Sequence, residues 1–204
     1  MVILRTARLV LRRLAWADVD SLVELDGDPE VMRFLTNGKP TPRETVVEVL
    51  PRLLGEYDSG FGRWAAIEGG VFVGWLGLRA GGELGYRLRR AVWGRGLATE
   101  GSRGVVAYAF GELGVPRVWG QTMAVNVASR RVLAKAGLRY VRTFHEVFDD
   151  PIDGTEFGEV EYAVTRDEWR SGLRGQSWGV CGGGVEQVGA DGVVQADGVE
   201  GVGG

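Results

Sequence analysis

Apolar positions change period along this chain, and the changes mark out its elements. Leu9-Val10-Leu11-Arg12-Arg13-Leu14 is rich in β-branched and aliphatic residues and predicts a first strand. From Asp18 to Asp26, Val19, Leu22, Val23 and Leu25 fall at helical spacing. Asp28-Pro29-Glu30 offers a capping side chain, a proline for the first helical position and an acid in the first turn. A helix carrying Val31, Met32, Phe34 and Leu35 should follow and stop at Asn37-Gly38. Thr41-Pro42-Arg43-Glu44 reads as a capping box opening a helix to about Tyr57. Its apolar face is Val46, Val49, Leu50, Leu53 and Leu54, and Pro51 is expected to kink or divide it.

Strand-like runs come next. Arg63–Glu68 and Val71–Leu78 flank Gly69-Gly70, a hairpin signal, and Gly81-Gly82 turns the chain into Glu83–Leu88. Gly96 to Leu113 has Leu97, Gly101, Gly104, Val105 and Tyr108 in helical register, and its glycines imply close packing onto a sheet. Val118–Met123 predicts a strand, and Ala128–Ala136 a helix stopped by Gly137. Leu138–Phe148 and Val160–Thr165 predict strands on either side of the acidic loop at residues 149–154, and Thr165-x-x-Glu168 opens a last short helix. From Gly172 no period appears and about a third of the residues are glycine, so a disordered tail is expected. Hairpins mixed with crossover helices predict an α/β domain over residues 1–171. Its mixed central sheet should have six to seven strands and helices on both faces, with a tail over 172–204.

Composition narrows the classes. The chain has 204 residues and a formal charge of −3, enough length for one domain with a self-sufficient core. The single cysteine, Cys181, excludes a disulfide framework, and no Cys/His cluster suggests a metal. No apolar run approaches the roughly 18 residues of a membrane span, and Met1 to Arg13 lacks a signal-peptide cleavage site. A cytoplasmic protein, monomer or homodimer, is the default. Mild acidity argues against nucleic acid as a main partner.

The candidate chemistry starts where Glu83–Leu88 runs through Arg89–Val92 into Trp93-Gly94-Arg95-Gly96-Leu97-Ala98-Thr99-Glu100. A glycine loop opening a helix aims unpaired N–H groups and the positive end of the helix dipole at one point, which suits phosphate. It lacks the third glycine of a dinucleotide fingerprint and the Lys-Ser/Thr of a nucleoside-triphosphate loop. An ordinary strand-loop-helix turn is the plainer account of the glycines alone.

Trp93-x-x-Gly96-x-Ala98-Thr99-Glu100 resembles the pyrophosphate loop of the GNAT superfamily of N-acetyltransferases, with Trp93 departing from the usual Gln/Arg. Asn126-Val127-Ala128-Ser129-Arg130-Arg131-Val132-Leu133-x-Lys135-x-Gly137-Leu138 is similar to a second motif, found in the RimJ/RimL-type branch. So are Thr6-Ala7-Arg8-Leu9-x-Leu11-Arg12 and Asp28-Pro29-Glu30-Val31-Met32. The resemblance spans roughly residues 5–170. It implies acetyl transfer from acetyl-CoA, without a metal, to a primary amine on a protein N-terminus or a small molecule. A CoA-binding module without turnover and a nucleotide-phosphate binder are the alternatives.

The resemblance also implies roles. The backbone of Leu84, Gly85, Tyr86, Arg87 and Leu88 would contact the thioester and pantetheine, where the family splays two strands apart. The amides of Gly94, Arg95, Gly96, Leu97, Ala98 and Thr99 would take the pyrophosphate, with Arg89, Arg90 or Arg95 near the 3′-phosphate unless they are simply solvated. Asn126 would contact the pantetheine arm, or only cap its helix. Glu83 is the candidate base, or a turn-edge glutamate. Ser129 is the candidate acid or thiol contact, or a surface hydroxyl; the tyrosine that the wider superfamily has four residues later is Leu133 here. Tyr86 and Tyr108 are spare donors best explained by ring packing. His145, the only histidine, and the acids Asp149, Asp150, Asp153 and Glu156 are candidates to line the acceptor side or attract a cationic amine, against a solvated charge run as the plainer account.

Overall fold

The runs of alternating and continuous apolar residues assemble into one sheet. A computed structural model describes residues 1–175. Its eight strands are β1 (Val2–Arg5), β2 (Leu9–Arg13), β3 (Gly62–Glu68), β4 (Val71–Arg79), β5 (Glu83–Leu88), β6 (Arg117–Met123), β7 (Arg139–Phe144) and β8 (Glu159–Thr165), in the order β1-β2-β3-β4-β5-β6-β8-β7. All neighbours pair antiparallel except β5 and β6. The helices are α1 (Val19–Asp26), α2 (Pro29–Met32), α3 (Arg43–Gly55), α4 (Leu97–Gly111), α5 (Val127–Lys135) and α6 (Arg166–Gly175).

Six or seven strands were expected and the sheet has eight. The addition is β1, a four-residue edge strand whose flanking arginines hide its pattern; it pairs with β2. The run to Phe148 ends as a strand at Phe144. The Gly69-Gly70 hairpin forms, with both glycines at positive φ (57° and 85°), the twist a two-residue turn requires.

Caps divide in the same way. Asp28 accepts from the Glu30 N–H at 2.9 Å, with Pro29 opening α2. Thr165 and Glu168 form a reciprocal box: Glu168 Oε2 accepts from the Thr165 N–H at 2.9 Å and Thr165 Oγ1 from the Glu168 N–H at 3.3 Å. The box expected at Thr41–Glu44 does not form. Pro42 itself is the N-cap of α3, with no side-chain bond, and its carbonyl accepts from Val46. Nor does Pro51 divide α3, which is continuous through it.

Both faces of the sheet are covered, as the unbroken burial of Phe72 to Leu78 requires. One face carries Trp64, Leu76, Leu78, Leu84 and Leu88 against α4. A Cβ on Gly101 would lie 2.6 Å from Leu76 Cδ2, so the helix glycines do mark close packing. Trp64 meets Tyr108 edge-on at 5.6 Å, so ring packing accounts for much of Tyr108. The opposite face carries Trp75 and Arg87 and is held to α1 by the Arg87–Asp26 ion pair at 2.6 Å. The tail expected beyond Gly172 starts inside α6; the rest of it, with Cys181, lies outside the described residues.

Candidate active site

The site is built on an opening between strands. β5 and β6 pair at a single register point, Glu83 with Trp119, and then diverge, while β6 takes its full ladder from β8. The β4 ladder continues to Arg89, whose N–H donates to the Val73 carbonyl at 2.9 Å. Alternate residues of an antiparallel strand face the partner. Glu83, Gly85, Arg87 and Arg89 therefore bond toward β4, and Leu84, Tyr86 and Leu88 face the opening. The Trp119 N–H, donating to the Gly82 carbonyl at 3.0 Å, closes its narrow end. Trp93 returns an indole N–H to the Leu88 carbonyl at 2.8 Å. That bond pins the following loop to β5 and gives the unusual Trp93 a structural task. The backbone groups left facing the opening are chiefly those of Tyr86 and the Leu88 N–H.

The loop beyond it delivers the expected amides. Gly96 caps α4 at φ 80°, and Gly94 also sits at positive φ (75°). Both are in the left-handed region that other residues enter at a cost of about 1–2 kcal/mol. No side chain caps α4, so the first-turn N–H groups of Leu97, Ala98 and Thr99 are free of helix partners. Gly94 has open space where a Cβ would stand. The first turn is anchored from the other end of the sheet. Glu100 accepts from Thr6 Oγ1 at 2.6 Å, the Arg8 N–H at 2.7 Å and Arg8 Nε at 2.6 Å, while Arg8 Nη1 donates to the Arg95 carbonyl at 2.9 Å. The Thr6–Arg8 motif is thus a brace for the loop. Burial raises the Glu100 carboxyl, but these bonds outweigh it and hold the group below the ordinary carboxylate range.

The second motif forms the other wall. Asn126 caps α5, its Oδ1 accepting from the Ser129 N–H at 3.1 Å. Ser129 Oγ lies 2.8 Å from the Tyr86 hydroxyl, which also donates to the Ser129 carbonyl at 3.0 Å. Tyr86 is therefore more than packing: its hydroxyl fastens β5 to α5 across the opening. Burial pushes its phenol up to about 12, against the Ser129 bond that lowers it, so Tyr86 remains a protonated donor at neutral pH. Leu133 is buried.

These parts surround one cavity of about 630 Å³, the size of a cofactor site. Of the predicted residues, Glu83, Leu84, Gly85, Tyr86, Arg87, Leu88, Gly94, Gly96, Leu97, Ala98, Thr99, Asn126 and Ser129 line it. Arg89 and Arg95 do not. Arg89 pairs with Glu24 at 2.7 Å and stacks on Phe72, Arg95 pairs with Glu68 at 2.8 Å, and Arg90 stands 4.0 Å from Asp28. On the α5 wall, Arg131 and Lys135, one turn apart, are exposed cations that line the cavity and have no acid partner among the described residues, while the exposed Arg33 and Arg79 line its other side. The i, i+4 spacing of Arg131 and Lys135 behind Asn126 was the available signal.

On the acceptor side, Glu83 lines the cavity with Oε2 taken by Arg79 at 3.0 Å. His145, Asp149, Asp150, Asp153 and Glu156 are exposed and none lines the cavity. The loop packs through Ile152, whose Cγ2 would lie 3.1 Å from a Cβ on Gly38, and through Gly154 against Val125.

Comparison with known proteins agrees with this geometry. The model of the acetyltransferase (GNAT) domain family matches residues 8–139. The FsC-acetyl coenzyme A-N(2)-transacetylase of Aspergillus fumigatus is 40% identical over 181 residues, covering 81% of this chain and 77% of that protein. Among solved structures, a GNAT-family acetyltransferase from Bacillus anthracis superposes with a TM-score of 0.70 at 20% identity, covering 82% of this chain and 99% of that one. A RimL ribosomal alpha-N-protein acetyltransferase in complex with coenzyme A gives 0.70 at 16% identity, covering 82% and 99%. These last two are likenesses of fold.

Proposed function

This chain belongs to the GNAT acetyltransferase family and is an N-acetyltransferase, and on that premise we propose that it passes the acetyl group of acetyl-CoA directly to a primary amine in a ternary complex at the β5–β6 opening. The observation that carries the proposal is the continuity of one cavity from the uncapped first turn of α4 to the unpaired backbone groups of Tyr86 and Leu88. The α4 amides and Gly94 hold the pyrophosphate, and Arg131 and Lys135 supply positive charge beside it. Asn126 and the β5 edge hold the pantetheine arm.

Acetyl-CoA supplies an activated thioester. Glu83 takes a proton from the ammonium of the acceptor, through a water, and Arg79 holds its carboxylate in place. The amine nitrogen then bonds to the acetyl carbon while the carbon–sulfur bond breaks. Backbone N–H donors of β5 polarise the carbonyl as charge develops on its oxygen. The second proton of the nitrogen passes to the departing sulfur by way of Ser129, whose hydroxyl, held by the Tyr86 phenol, gives its proton to the sulfur and takes the nitrogen's in return.

Two finer assignments belong to the same proposal. The Thr6–Arg12 and Asn126–Leu138 motifs favour the RimJ/RimL-type branch. The name of the Aspergillus fumigatus relative assigns its transfer to an N(2) nitrogen, and an amine is the acceptor class carried over here, on a small molecule or a protein N-terminus. A titration with CoA paired with a thiol-release assay across an amine panel is the test. Amine-dependent thiol release supports the proposal. Tight CoA binding with no release for any amine would point instead to a CoA-binding module.

A further inference from the structure

The face of the sheet opposite α4 carries a second, uncommitted feature. In register across β3, β4 and β5, Arg63 stands beside Gly77, and Gly77 beside Gly85. Neither glycine carries a side chain, and their neighbours use the space: a Cβ on Gly77 would lie 3.2 Å from Arg63 Cγ, so the Arg63 stem packs against it. The Trp75 ring packs on Gly85, 3.4 Å from where a Cβ would be. The Arg63 guanidinium lies over that ring at 4.6 Å and the Arg87 guanidinium at 5.5 Å. Arg79 and Glu83 form the next row. Arg63, Trp75, Gly77, Arg79, Gly85 and Arg87 all line the cavity, on the acceptor side of the opening.

The charges on this face are unevenly matched. Arg87 is paired with Asp26 at 2.6 Å and Arg79 with Glu83 at 3.0 Å. The Arg63 side chain has no hydrogen bond or ion pair among the described residues; its guanidinium contacts the Trp75 ring. Burial first, and then repulsion from Arg79 and Arg87, bring its guanidinium down to about 10, with Glu56 and Asp26 only partly compensating. A half-buried cation beside two others is favoured by an incoming anion, and the planar fork of arginine fits a carboxylate with two parallel bonds.

We propose that Arg63, laid over Trp75 beside Gly77 and Gly85, receives a carboxylate of the acceptor, so that the substrate is a small amine that also carries an acid group. This rests on the acetyltransferase assignment of the same cavity and names its substrate class. The carboxylate on Arg63 sets the substrate's orientation on this face of the sheet, and Glu83, on the same face two residues from Gly85, meets the amine. A polycationic amine is disfavoured there by Arg63, Arg79 and Arg87 together.

Binding and turnover test this separately. In the presence of CoA, N-acetyl-leucine and N-isoamylacetamide, which differ by the carboxylate, are titrated into the wild type, Arg63→Gln and Arg63→Lys, with tryptophan fluorescence as the readout. The expected result is at least about ten-fold tighter binding of N-acetyl-leucine to the wild type, the scale of a hydrogen-bonded charge pair. That preference should vanish in Arg63→Gln and be reduced in Arg63→Lys, with CoA affinity and melting temperature unchanged. In turnover, leucine should exceed isoamylamine in kcat/KM by a similar factor, carried by KM. Equal binding of the two amides by the wild type, no binding of either, or a preference that survives Arg63→Gln would overturn the proposal. Absence of thiol release with a retained carboxylate preference would instead overturn the transferase mechanism and leave the anion site standing.

Discussion

At the scale of single residues, the site depends on a few atoms whose neighbours decide their use. Gly96 holds φ 80° at the start of α4, with Arg8 Nη2 3.7 Å from the place of a Cβ. There is room for a methyl group, so Gly96→Ala acts through backbone strain alone. It is expected to cost about 1 kcal/mol of stability and, by tilting the first-turn amides, roughly ten-fold in CoA affinity; thermal melts and calorimetric titration measure the two effects. A longer acid at this position would reach Arg8, which makes alanine the cleaner probe. Glu83→Gln keeps the shape and removes the proposed base. Its kcat/KM should fall most on the acid side of the pH profile, where more of the amine is protonated, and an unchanged profile would remove Glu83 from the mechanism. The glycines, Asn126 and Ser129 were legible from spacing. The Tyr86–Ser129 bond was not, because the two residues are 43 positions apart and meet only across the opening.

At the scale of elements, a carboxylate that ties segments together and one that folding buries behave oppositely in acid. Glu100, braced by Thr6 and Arg8, has its affinity for protons lowered by folding, so its contribution is full above about pH 4.5 and fades as the pH falls below that. Glu159, at the start of β8, is raised to about 7 by burial and then by the nearby Glu146. A carboxyl raised by folding favours the folded state when protonated, so its contribution is lost as pH rises from about 4.5 to about 7. Glu159→Gln should therefore melt higher than the wild type at pH 8, with the difference shrinking toward pH 5; a difference that grows toward acid would contradict the shift. Among elements, α2, α6 and the β3–β4 hairpin carried readable local signals: Asp28 with Pro29, Thr165 with Glu168, and Gly69-Gly70. Thr41–Glu44 carried the same kind of signal and misled, because Pro42 itself took the N-cap position.

At the scale of the whole molecule, one sheet joins the brace, the loop and the acceptor face. Leu76 is fully buried at its centre, between β3 and β5 and under Gly101 of α4. Leu76→Ala should destabilise the protein by roughly 2–5 kcal/mol in denaturant unfolding. Because β4 is the neighbour of β5, the same variant should also weaken CoA binding. The strand order explains the opening itself. β6 satisfies its backbone against β8 on one side, which lets it leave β5 after a single register point on the other.

By itself the sequence determined most of the elements, the glycine turn that opens α4 and the helix that opens at Asn126. Each is set by side-chain period, glycine or a cap within a few residues of chain. Only the tertiary structure decided which arginines reach the cavity. Arg89, Arg90 and Arg95 lie near the turn in the chain but find acids in distant segments, whereas Arg63, Arg131 and Lys135 are carried in by the sheet and α5. A long charged side chain goes to the partner that packing brings within reach, and that partner is chosen by strand order and register rather than by neighbours in the chain.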